Sequence, residues 1–181
     1  MRRALVYGLA ALVGLLVIAA FAFVLLQPIQ VLPRIRLAPA WVLRDREGRL
    51  VSNEDLRGQI VLYTFTYTRC RPPCPQPDRT MQAIYRRLAA ADLGDVPVTL
   101  MTISFDVAHD SPAVLKAYAA AWGAEDDRWR FAVGTDPQRL KTVIGEGFQV
   151  YYQPREDGRF DFDPVYILVD GWGIIRGEYR Y

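Results

Sequence analysis

Cys70 and Cys74 are the only two cysteines in a chain of 181 residues, spaced C-x-x-x-C in the run Thr66-Tyr67-Thr68-Arg69-Cys70-Arg71-Pro72-Pro73-Cys74. A thiolate is both a nucleophile and a soft-metal ligand, so a close pair of thiols serves either disulfide exchange or the binding of a soft ion such as copper(I). Three intervening residues allow the sulfurs to meet on one side of a turn, within the Cα separation of about 4.4–6.8 Å that a disulfide tolerates. Arg69 and Arg71 flank Cys70, and a helix expected to begin at Pro75 directs its N-terminal dipole at the pair; both favour thiolates. Pro72, Pro73, Pro75 and Pro77 stiffen the loop. An inert staple is the competing reading, but so short a loop removes little chain entropy. Cys70, nearer the preceding strand, is expected to attack and Cys74 to resolve the mixed disulfide.

The elements that must hold this pair can be read from periodicity. Ile60 to Tyr67 is a near-continuous apolar run, as in a strand buried on both faces. Beyond the cysteines, Met81, Ile84, Tyr85 and Leu88 fall on one helical face, and prolines are tolerated in a helix's first turn. Val96 to Phe105 reads as a second central strand. Ser111-Pro112 starts a helix with Val114, Leu115, Tyr118 and Trp122 inward and Gly123 as its stop. Asp136-Pro137 starts another, with Leu140, Val143 and Ile144 buried and Gly145 ending it. A hairpin about Glu47-Gly48, a turn or single helical turn over Ser52–Leu56, strands over Phe148–Tyr152 and Val165–Val169 with a turn at Glu156-Asp157-Gly158 between them, and a terminal strand over Ile174–Tyr179 complete the order. Two parallel strands joined by helical crossovers and closed by an antiparallel hairpin describe a thioredoxin-like α/β fold, a central mixed sheet flanked by helices.

Ahead of this domain, Met1-Arg2-Arg3 precedes an uncharged stretch from Ala4 to Leu26. As a helix it measures roughly 35 Å, enough for a hydrocarbon core of about 30 Å. No small-x-small cleavage site follows it, so it reads as an uncleaved transmembrane anchor rather than a signal peptide. The organisation is thus a membrane anchor over 1–26, a proline-containing linker over 27–39, and the α/β domain over 40–181. Basic residues on both sides of the span nearly balance under the positive-inside rule; the thiol pair favours an extracytoplasmic domain, on the periplasmic side of a bacterial cell membrane. Setting aside Arg2 and Arg3, the 22 basic residues fall to 20, matched by 20 acidic ones. That balance excludes a nucleic-acid binder working through a basic face. One histidine, His109, and two cysteines are too few for a Cys/His structural zinc site.

The chain resembles the Sco/SenC family of thioredoxin-fold, membrane-anchored proteins linked to assembly of the copper centre of cytochrome c oxidase. The resemblance covers about residues 40–181. It is carried by Leu56-Arg57-Gly58, Thr66-Tyr67-Thr68-Arg69-Cys70, Cys74-Pro75, Ser104-Phe105-Asp106, Asp110-Ser111-Pro112 with Lys116-Ala117-Tyr118, and Val150-Tyr151-Tyr152. It implies a copper site made of both motif cysteines and a later histidine, placed just before a strand of the type Tyr-x-Leu-Val-Asp. Cys70 and Cys74 match. Counting back from Asp170, the histidine position is Phe162, which cannot bind copper. His109 lies on the same sheet rim but reads as a solvated loop residue rather than a third ligand. Two places on, Asp163-Pro164 leads into the next strand; Pro164 is either the cis-proline that faces the thiols in thioredoxin-like oxidoreductases or an ordinary trans proline at a strand's first residue. Two roles follow from the resemblance. One is a thiol-disulfide oxidoreductase, with Cys70, Cys74 and Pro164 at its centre, that reduces a protein partner such as the copper-binding subunit of the oxidase. The other is a copper(I) chaperone holding its cargo on Cys70 and Cys74.

Overall fold

The computed structural model describes residues 2–26 and 32–180. They fall into two units that divide between Leu32 and Pro33. The first is a single helix, α1 (Arg2–Leu26), long and apolar enough over Arg2–Val24 to cross a membrane. Of the expected linker, residues 27–31 lie outside the described residues.

The second unit is a mixed sheet with helices against it. Its strands are β1 (Arg36–Leu37), β2 (Val42–Asp45), β3 (Leu50–Ser52), β4 (Ile60–Thr66), β5 (Val98–Ser104), β6 (Trp129–Val133), β9 (Val165–Val169) and β10 (Ile174–Arg180). Their spatial order is β1-β10-β9-β4-β5-β6-β2-β3. The three central strands β4, β5 and β6 are parallel, and β9 runs antiparallel to β4, with Val61 opposite Val169 and Thr64 opposite Tyr166. The crossovers are α2 (Pro77–Ala90) and α3 (Pro112–Ala121), and α4 (Pro137–Lys141) continues into a π-helical turn, Thr142–Gly147. A separate small hairpin, β7 (Tyr152–Pro154) with β8 (Phe160–Phe162), stands beyond the sheet. This is the thioredoxin-like architecture expected from the element order.

Alternation along the central strands builds two cores, because successive side chains point to opposite faces. Val61, Tyr63, Phe65 and Tyr67 join Met101, Ile103 and Phe105 on one face, with Leu140, Ile144, Phe148 and Val150 packed over them. Leu100, Trp129, Phe131 and Tyr166 on the other face take Met81 and Tyr85 of α2 and Leu115 and Ala119 of α3. Val114, expected inside, is exposed at the start of α3.

Three expectations are corrected by this packing, and one strand is added. The linker reading of 27–39 ran too far, since Arg36 and Leu37 pair with Ile175 and Ile174 and so extend the sheet. Trp129–Val133, expected from sequence only as a connection although Trp129, Phe131 and Val133 alternate at period 2, is the third parallel strand; its Trp129 indole N–H donates to Thr102 Oγ1 at 3.0 Å. Of the strand expected over Phe148–Tyr152, only Tyr152, the first residue of β7, is strand. Phe148 closes the π-helical turn and wedges between Tyr63 and Phe65, each ring centroid 5.1 Å away. The apolar alternation of Phe148 and Val150 reflects loop packing rather than a pleat. Gly145 does not end the helix there, because the chain coils on to Gly147, where an added Cβ would come within 2.5 Å of Pro39.

Candidate functional site

β4 delivers the chain to the carboxyl rim of the parallel strands, where the loops of open α/β sheets gather their ligands. Beyond Thr66, Tyr67 remains buried, and two tight turns follow: Cys70 N–H donates to Tyr67 O (3.1 Å), and Cys74 N–H donates to Arg71 O (2.9 Å). These turns bring the cysteine Cα atoms to 5.5 Å, and the two residues form a disulfide. Cys70 is buried at 5% exposure while Cys74 is half-buried, so Cys74 rather than Cys70 is the more exposed of the two.

The surroundings of the pair differ from the expectation in two further ways. α2 begins at Pro77 rather than Pro75, capped by Gln76, whose side-chain N–H donates to the Cys70 carbonyl at 3.4 Å. Arg69 does not face the thiols alone. Its guanidinium donates to Asp106 Oδ2 through Nε (3.1 Å) and Nη2 (2.7 Å), and Nη2 also meets Gly158 O at 3.1 Å and His109 Nδ1 at 2.9 Å. Arg69 thus ties the cysteine loop to the loop after β5 and to the tip of the β7–β8 hairpin. Arg69 and Arg71 are both exposed, and Arg69 is the one tied down by these contacts.

His109 Nδ1 also lies 2.9 Å from Asp106 Oδ1, so that ring nitrogen is held between a carboxylate and a guanidinium. Among the described residues no group of three or more His, Cys, Asp and Glu side chains is arranged to hold a metal ion. Phe162, at the position the resemblance assigns to a histidine, is buried in an aromatic cluster with Phe105 (5.2 Å) and Tyr67 (6.2 Å). Asp161 is paired with Arg155, and Asp163 with Arg180. Once reduced, the two cysteine sulfurs are a donor pair suited to a soft ion. Of the two readings of Pro164, the structure has the ordinary trans proline. Extending the register of β9 on β4 places it level with Thr66, at the thiol end, but its peptide bond is trans; the cis bond among the described residues joins Pro72 to Pro73.

Sequence reading misses three features that shape the site. Asp110 is buried and accepts from Thr68 N–H (2.9 Å), Thr68 Oγ1–H (2.6 Å) and the Ser104 hydroxyl, fastening the start of the cysteine loop to β5. Removing a buried acceptor leaves its donors unsatisfied. Asp110→Ala is accordingly expected to lower stability by about 2 kcal/mol in urea unfolding. A loss within a few tenths of a kcal/mol would contradict this anchoring role. Asp78, in the first turn of α2, is fully buried and accepts from Thr102 Oγ1–H (2.9 Å) and Tyr118 O–H (2.8 Å). Burial pushes its carboxyl up to about 6, against the opposing effect of those two bonds. A signal existed for Asp78: it lies three residues before Met81, on the apolar stripe of α2. The third is a groove of about 820 Å³ floored by Phe105, Tyr152 and Phe160 and edged by Lys141 and Pro154. It adjoins the dithiol through Tyr67, whose ring centroid is 5.1 Å from that of Phe160 and whose hydroxyl lies 3.8 Å from Cys74 Sγ.

The SCO1/SenC family model matches residues 31–181. The chain belongs to the SCO1/SenC family. The SCO1 protein homolog of Bacillus subtilis is 24% identical over 141 residues, covering 77% of this chain and 72% of the relative. Among solved structures, BsSco, described as a member of the Sco family of cytochrome c oxidase assembly proteins in which a disulfide switch was identified, superposes with a TM-score of 0.73. It is 23% identical and the match covers 84% of this chain and 88% of that one. ScoI of Bradyrhizobium japonicum, solved with copper bound, gives a TM-score of 0.64 at 26% identity over 80% of this chain and 89% of that one. Both share the SCO1/SenC fold described above.

Proposed function

We propose that this SCO1/SenC protein acts in assembly of the copper centre of cytochrome c oxidase as a thiol-disulfide reductase of a partner's cysteines. The observation that carries the reading is a sulfur pair that closes as a disulfide, with Phe162, packed against Phe105, at the position where the family resemblance calls for a histidine ligand. In the reduced protein the Cys74 thiolate attacks a partner disulfide, forming a mixed disulfide and releasing one partner thiolate. Cys70 then attacks Cys74 Sγ, releasing the second. Two electrons pass to the partner, the Cys70–Cys74 disulfide forms, and an external thiol reductant resets the pair. α1 anchors the protein, and the α/β unit works on the extracytoplasmic side.

A second reading, copper(I) carriage on Cys70 and Cys74, is supported by the likeness to copper-bound ScoI of Bradyrhizobium japonicum. Two thiolates suit a soft ion, and copper is then cargo rather than a resident cofactor. Titration of the reduced full-length chain with copper(I) under competition from a chelator separates the two. The reductase reading expects no one-to-one complex surviving competition, together with a measurable dithiol potential. Tight stoichiometric binding lost in Cys70→Ser and in Cys74→Ser would replace it with carriage.

A further inference from the structure

The end of the sheet opposite the thiols carries an exposed apolar edge that the redox chemistry does not use. β9 and β10 are joined by Asp170-Gly171-Trp172-Gly173, and Trp172 is 80% exposed. The turn presenting it is held from several directions. Asp170 Oδ1 accepts from Trp172 N–H (3.0 Å) and Ile174 N–H (2.9 Å), and Gly173 N–H donates to Asp170 O at 2.9 Å. Gly58 N–H donates to Gly171 O (2.9 Å), at a spot so close that a Cβ on Gly171 would lie 3.0 Å from the Gly58 backbone. Arg57 donates to the Trp172 carbonyl. A single exposed apolar residue on a loose loop calls for no explanation. Trp172 is neither single nor loose. Beside it, Ala38 N–H donates to Gly173 O at 2.8 Å, and Leu37 is opposite Ile174. Leu37 and Ile35, two residues apart and so on one face of the edge strand, are 67% and 46% exposed.

The chain itself says what this edge meets. The apolar helix ends at Leu26 and β1 starts at Arg36. A fully extended chain advances about 3.5 Å per residue, so this short connection cannot carry β1 more than about 35 Å from the end of an anchored helix. Tryptophan and other amphipathic or apolar side chains collect at the headgroup level of bilayers.

We infer that the Trp172–Leu37–Ile35 edge docks on the lipid surface of the membrane that holds α1, with the indole at the headgroup boundary. The inference rests on the reading of α1 as an anchor. It has a consequence for the dithiol. β4 runs from Ile60, beside the Gly58–Gly171 contact, to Thr66, beside the cysteine loop. A docked Trp172 edge therefore points Cys70 and Cys74 away from the lipid, toward partners approaching from the aqueous side.

The four tryptophans make the test direct, because all lie outside α1: Trp41 and Trp129 are buried, Trp122 is half-buried, and Trp172 alone is largely exposed. The full-length chain is reconstituted in phosphatidylcholine vesicles whose acyl chains carry bromine near the headgroup, and tryptophan emission is compared with that in unbrominated vesicles. Quenching in the wild type that is lost in Trp172→Phe and kept in Trp122→Phe is the expected result. If the chain floats with the vesicles and shows no quenching, or equal quenching in Trp172→Phe, the docking is overturned while the anchor stands. A chain that does not float with the vesicles overturns the anchor reading and the docking with it.

Discussion

Cys70→Ser is expected to turn the protein into a trap for its partner. With Cys70 buried and Cys74 half-buried, the reachable sulfur is Cys74. It attacks the partner disulfide but, without Cys70, the mixed disulfide has no intramolecular exit. A covalent complex should therefore accumulate on non-reducing gels, and turnover of a model disulfide should fall at least about a thousand-fold, as when one member of a catalytic unit is removed. Cys74→Ser should lose turnover by a similar factor and leave no complex, because the remaining thiol is shielded beneath the loop and lies 2.8 Å from the Pro75 carbonyl oxygen. The opposite pattern, trapping by Cys74→Ser alone, would restore Cys70 as the attacking sulfur and show that burial does not decide the order of attack. The 3.8 Å contact between the Tyr67 hydroxyl and Cys74 Sγ is consistent with the assignment, since it sets a hydrogen-bond donor beside the sulfur on which charge develops.

Asp78 should make the fold less stable as the solution becomes less acidic, through the carboxylate range. Its carboxyl is raised to about 6 by burial, from an ordinary value of 3.8. Well below that ordinary value the group is protonated in the folded and unfolded chain alike, and its buried hydrogen bonds are made without charge. Between the two values the unfolded chain ionises first, so stability falls as pH rises and the loss is complete above the folded value. A shift of about two units is equivalent to about 3 kcal/mol at about pH 7. Asp78→Asn keeps the shape and cannot ionise. Urea unfolding from about pH 4 to about pH 7 should show the wild type losing about 3 kcal/mol relative to the variant across that span. Parallel pH profiles for the two proteins would rule out a raised Asp78. Taking the difference between variant and wild type cancels groups such as Asp45 and Asp170, whose carboxyls are lowered, against the opposing effect of burial, by backbone hydrogen bonds and arginine partners and which act in the opposite sense.

Asp78 also illustrates where sequence reading stops. Period-3.6 patterning locates α2, and its apolar face is legible from Met81, Tyr85 and Leu88. A carboxylate on that same face looks like an ordinary first-turn acid, because nothing local reveals that Thr102 from β5 and Tyr118 from α3 converge on it. Asp110 is hidden in the same way, reading as the residue before an N-cap while it holds Thr68 and Ser104. β6 escapes for a different reason. Trp129–Val133 is short and follows a helix stop and a charged turn, and its strand identity comes from pairing with β5 at Leu100 through Ser104.

The cysteine spacing, the apolar strand before it, the helix faces and the apolar N-terminal segment were determined by sequence alone, because each depends on neighbours within a turn or two. Residue types at Cys70, Cys74 and Phe162 likewise limit the chemistry by themselves, since a side chain without a donor atom binds no metal wherever the fold places it. Which sulfur is reachable, where Arg69 directs its charge, and the isomer of the Asp163–Pro164 bond were decided only by the tertiary structure. Each depends on groups far apart in the chain, such as Asp106 and Gly158 meeting Arg69, and contacts of that kind are set by sheet order and packing rather than by local pattern.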